Sequence, residues 1–73
     1  MLEKNINIKE EFIRLDSLMK LSDCVATGGH AKIVIQNGEV KVNGETCIQR
    51  GKKMREGDFF TYNGVKVTVK KCW

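Results

Sequence analysis

The 73-residue chain has no proline, one histidine (His30) and three cysteines, none of them in a C-x-x-C pair. Each shortage removes a class of protein. With one histidine and no paired cysteines, a closed zinc site would have to draw on scattered ligands. Cys24, Cys47 and Cys72 are odd in number and widely spaced, which does not suit a disulfide scaffold. They fit reduced thiols in a cytoplasmic protein, with Cys24 and Cys47 acting as small core residues. Cys72-Trp73 is not a prenylation signal. No run approaches the ~18 apolar residues of a membrane-spanning helix. The start Met1-Leu2-Glu3-Lys4-Asn5 lacks the basic-then-apolar layout of a secretory signal. Asp16, Asp23 and Asp58 are scattered, with no paired-carboxylate signature. His30 has no cysteine or acidic partner at a catalytic spacing. Linkers, repeats and low-complexity stretches are missing as well. The expectation is one domain over residues 1–73, too small for a cleft between subdomains, without catalysis, cofactor or metal.

Hydrophobic residues make up 41% and charged residues 30%, a globular balance. Thirteen Lys and Arg against nine Asp and Glu give a net charge of +4, and the excess is unevenly placed. Residues 1–39 carry a net −1 and residues 40–73 a net +5. A basic half on a small domain suggests a polyanionic partner; a solvated surface is the plainer reading.

Periodicity gives a strand, two helices and then strands. Asn5-Ile6-Asn7-Ile8-Lys9 alternates polar and apolar, as a half-buried strand does. From Glu10 the spacing changes: Phe12, Leu15, Leu18, Met19 and Ser22 predict one helix face, with Glu10 and Glu11 near its positive end. Thr27 is placed to cap a second helix, Ala31, Val34 and Ile35 to form its buried stripe, and Gly38 to end it. The β-branched run Ile33-Val34-Ile35 keeps a strand open as the competing reading. Val40 and Val42 point one way and Lys41 the other, running into a hairpin turn at Asn43-Gly44. The return strand is expected to hold Cys47 and Ile48. Residues 50–58 read as a basic loop anchored by Met54. Phe59-Phe60-Thr61-Tyr62 and Val65–Val69 form further strands around an Asn63-Gly64 turn. The three aromatics Phe59, Phe60 and Tyr62 offer a base-stacking platform or, for at least two of them, core.

The densest cationic cluster is Arg50, Lys52, Lys53 and Arg55, which Lys32 and Lys41 join if the second helix packs beside the first hairpin. Converging long cations supply the counterion-release term that dominates nucleic-acid affinity. Thr27-Gly28-Gly29 before a helix leaves backbone N–H groups open to a phosphate, or is simply a tight turn. Gly51-Lys52-Lys53 is not a Walker loop, because its upstream glycine and following Ser or Thr are missing.

Taken together, Arg14-Leu15-Asp16-Ser17-Leu18, Thr27-Gly28-Gly29-His30-Ala31-Lys32, Ile35-Gln36-Asn37-Gly38-Glu39-Val40-Lys41-Val42-Asn43-Gly44 and Gly57-Asp58 resemble the RNA-binding domain first known from ribosomal small-subunit protein four, the S-four domain. The resemblance runs from residue 12 to about 62 and is strongest to small stand-alone bacterial members, with Arg50-Gly51-Lys52-Lys53 matching their basic segment. The arginine that commonly follows the capping serine is Gly28 here, and the family's proline-containing loop is missing. The resemblance implies an α+β fold, two helices packed on a small, mostly antiparallel sheet. It implies a monomer that binds structured RNA, ribosomal or transfer RNA, in the cytoplasm or on the ribosome, with no membrane partner. The candidate contacts are Arg14, Lys20, Thr27, Gly28, Gly29, His30, Lys32, Lys41, Arg50, Lys52, Lys53 and Arg55. The competing reading is an interaction module that docks an acidic protein, for example in a ribosome-associated complex.

Overall fold

The computed structural model describes residues 2–71. Among these, the order of elements is β1 (Leu2–Ile8), β2 (Ile13–Arg14), α1 (Leu15–Leu21), α2 (Gly28–Gln36), β3 (Lys41–Val42), β4 (Glu45–Thr46), β5 (Lys53–Met54), β6 (Phe59–Tyr62) and β7 (Val65–Lys71). Five strands form one sheet in the order β1-β7-β6-β3-β4, antiparallel except for the parallel β1–β7 pair. Strands β2 and β5 make a separate antiparallel pair. This is an α+β fold with a mostly antiparallel sheet. Cys72 and Trp73 lie outside the described residues.

One face of the sheet carries the core. Val42, Phe60 and Val67 lie side by side in register, and Val69 continues the row along β7. Against them pack Leu15, Leu18 and Met19 of α1 and Ala31, Val34 and Ile35 of α2, all buried. The strands alternate, so the opposite face holds Lys41, Thr61, Lys66 and Thr68. Cys24 and Cys47 are free thiols, half-buried against the core.

The 27–38 segment is a helix. The Thr27 hydroxyl oxygen accepts the His30 N–H at 3.1 Å, satisfying one of the orphan donors of the first turn. Gly38, at φ +77°, ends it: the Glu39 N–H donates to the Val34 carbonyl and the Gly38 N–H to that of Ile35. Burial of Ala31, Val34 and Ile35 outweighs the strand propensity of the β-branched run. Thr27→Ala is expected to lower the unfolding free energy by about 1 kcal/mol, read from urea denaturation.

Three sequence expectations need correction. The first helix starts at Leu15, not Glu10: residues 9–11 bend, Ile13–Arg14 pairs with Lys53–Met54, and Phe12 lies on the surface. Glu10 and Glu11 are therefore not in its first turn, which contains Asp16. The return strand of the first hairpin is Glu45–Thr46; Cys47 and Ile48 follow it, although the Cys47 N–H still donates to the Val40 carbonyl. Residues 50–58 are not all loop, since Lys53 and the buried Met54 form β5.

Asn43 and Gly44 make the expected hairpin turn, with φ of +52° and +88°. Asn43 also has a second task. Its side-chain amide donates to Asp58 Oδ1 (3.2 Å), and its side-chain oxygen accepts the Phe59 N–H (3.1 Å). Asp58 Oδ2 in turn accepts the Arg55 N–H at 2.9 Å. The Asn-Gly and Gly-Asp motifs, fifteen residues apart, are thus two halves of one hydrogen-bonded joint.

Candidate nucleic-acid interface

The start of α1 organises the basic segment. Arg14, its N-cap residue, makes no side-chain cap. Instead the Leu15 N–H donates to the Lys52 carbonyl (2.9 Å) and the Asp16 N–H to the Arg50 carbonyl (3.1 Å). The backbone of residues 50–52 therefore caps the helix. Its carbonyls turn inward, and the side chains of Arg50 and Lys52 are exposed.

Arg14 and Lys53 are direct partners in the β2–β5 register. Their neighbours Ile13 and Met54 turn toward the core, so the two cations share the outer side. Like charges directly opposite one another destabilise a strand pair. Local contacts offset only part of this. Arg14 Nη2 meets Asp16 Oδ2 at 3.2 Å, with half of the Arg14 side chain still exposed. Lys53 Nζ lies 4.9 Å from the centre of the Phe12 ring. Gly51 sits under the Arg14 guanidinium, and a Cβ there would lie 3.7 Å from Arg14 Nη2. Arg14, Arg50, Lys52 and Lys53 thus form one exposed cluster. Arg14 is a weaker sequence signal than the loop, because the apolar spacing around it predicts a position within a helix.

The other candidates fall elsewhere. Arg55 is exposed in the turn closed by Asp58. Lys20 lies in the last turn of α1, roughly 9 Å along the axis from Arg14. Thr27, Gly28, Gly29, His30 and Lys32 form the exposed first turns of α2, joined to the end of α1 by residues 22–27. The Thr27 oxygen is occupied by its cap, and Gly28 and Gly29, whose N–H groups have no intrahelical acceptor, are exposed residues. Lys41 does not join the loop cluster: it projects from the sheet face opposite the helices, between the buried Val40 and Val42. Phe59 and Tyr62 are half-buried and Phe60 is fully buried. Lys66 covers Phe59, its Nζ 4.5 Å from the ring centre, so the aromatics are not an open stacking platform.

Among the described residues no group of three or more His, Cys, Asp or Glu side chains is placed to hold a metal ion. None of the described helices is long and apolar enough to cross a membrane.

Comparison with known proteins places the chain in a family. A family model described as S4 domain matches residues 6–70. A protein of Bacillus subtilis (strain 168), named as a probable ribosome maturation protein, RlbA, is 39% identical over 59 residues. The match spans 81% of this chain and 83% of that protein. The chain accordingly belongs to the S4-domain family, whose members are generally RNA-binding.

Proposed function

We propose that the chain binds structured RNA without catalysis, and that the RNA is ribosomal RNA in a maturing subunit. The observation that carries this reading is the Arg14–Lys53 pair: two cations set opposite each other, beside Arg50 and Lys52, at a position where sheet stability alone disfavours them. A phosphate backbone across the cluster relieves that repulsion. The exposed N-terminus of α2, with Lys32 and His30, supplies a second contact for the same backbone. Such contacts read the shape of a folded RNA more than its sequence. The RlbA name supports ribosome maturation as the setting.

The test is filter binding to a ribosomal RNA hairpin across a salt series, comparing the parent with a Lys52→Ala/Lys53→Ala variant. Affinity should fall, and the slope of log K against log salt should drop by about 0.7–0.9 for each phosphate no longer neutralised. Folding should change by less than about 1 kcal/mol, since exposed lysines and surface cation–π contacts contribute little. Unchanged affinity and slope would remove the cluster from the interface.

A further inference from the structure

A groove of about 420 Å³ adjoins the basic cluster, between the β3–β4 hairpin and the 47–52 segment that follows it. Its lining is mixed. Val42 and Glu45 are register partners, so both side chains project to the same side of the hairpin. Val42 is buried and Cys47 half-buried, giving an apolar floor. Ile48 also lines the groove, with 62% of its surface exposed, among the largest exposures of any described large hydrophobic residue. Gln49 adds an exposed amide, and Lys52, a member of the cluster, also lines the groove.

We infer that this groove holds one unpaired nucleotide of the bound RNA, guanine by preference, with its phosphate at Lys52 and its base edge toward Glu45. The inference rests on the RNA-binding reading and adds a recognised base to it. Small-molecule clefts start at roughly 300 Å³, so the space accepts a base with its sugar. The charges orient the guest. The Lys52 ammonium draws the backbone phosphate, while the Glu45 carboxylate repels it. An ionised carboxylate only accepts hydrogen bonds. The Watson–Crick edge of guanine presents two adjacent N–H donors to it, whereas uracil presents one donor between two carbonyls. Val42, Cys47 and Ile48 then cover the apolar face of the base. A base held in a continuous duplex cannot enter, so a bulge or loop is required.

The experiment uses the full chain and three RNA hairpins that differ at one position: fully paired, with a single bulged guanine, and with a single bulged uracil. Fluorescence anisotropy at about 0.1 M salt should show the guanine bulge bound about tenfold tighter than the paired hairpin, with uracil between them. Ile48→Ser, at an exposed site, should erase most of this preference while keeping affinity for the paired hairpin and its salt slope. Glu45→Gln should narrow the gap between guanine and uracil. Equal binding of all three hairpins by the parent overturns the inference and leaves RNA binding standing. A preference that survives Ile48→Ser puts the base elsewhere and overturns it too. Binding of none of the three removes both readings.

Discussion

Val34→Asp is expected to leave no folded protein, whereas Ile33→Asp, one residue earlier, is expected to fold and melt like the parent. Val34 is 4% exposed and sits in the core cluster between α2 and the sheet. The substitution forfeits the burial of a valine, worth about 1.5–3 kcal/mol. It also places a carboxylate among apolar side chains, where an unpaired charge costs about 3–5 kcal/mol. The total stability of a domain this small is only about 4–11 kcal/mol, so the loss is comparable with the whole. Ile33 is 59% exposed, and isoleucine and aspartate have similar helix propensities. Its replacement should stay within roughly 0.5 kcal/mol. Far-ultraviolet circular dichroism with thermal melting separates the two outcomes. An intact Val34→Asp beside an unfolded Ile33→Asp would mean that residues 28–36 are not the helix described, and the contact surface at its start would go with it.

Lys32→Glu is expected to lower RNA affinity by about 10–100-fold with stability unchanged within about 0.5 kcal/mol. The range is that of one missing charge-assisted hydrogen bond, before any repulsion between the new carboxylate and phosphate. Lys32 is exposed on α2, and glutamate and lysine have similar helix propensities, so folding is little affected. Folding and binding therefore respond differently to the same change. Lys41→Glu makes the same charge reversal on the opposite face of the sheet and serves as the control, with affinity expected to stay within about threefold. Parallel filter-binding and melting measurements check both variants. Equal losses for Lys32 and Lys41 would point to net charge rather than a defined face.

The parts of the fold that are legible in the sequence are those built from local rules. The alternating valines of β7, the Asn-Gly turns, and the Thr27 cap with its terminal Gly38 each depend on a few adjacent residues. What depends on distant pairing is not legible. A two-residue strand has no periodicity to detect, so Ile13–Arg14 passes for helix until it is seen paired with Lys53–Met54. Asp23 is a similar case. It adopts φ +62° and ends α1 as a glycine would, while the Cys24 N–H reaches back to the Met19 carbonyl, yet its identity alone signals no helix end. The basic segment is visible as composition, but its backbone role is not: nothing in Arg-Gly-Lys-Lys says that two of its carbonyls cap a helix thirty-odd residues earlier. Lys41 shows the opposite error. Its alternation with Val40 and Val42 is plain in the sequence, but the side of the sheet it faces depends on where the helices pack.

Ultraviolet crosslinking in living cells, read at both ends, tests whether the basic cluster and the start of α2 hold ribosomal RNA. Sequencing identifies the RNA, and mass spectrometry of the crosslinked peptides identifies the protein surface. Crosslinks are expected to concentrate at structured positions of ribosomal RNA, joined to peptides containing residues 50–53 and 27–32. Crosslinks confined to the Lys41, Lys66 and Lys70 face of the sheet, or no enrichment of ribosomal RNA over other transcripts, would contradict it.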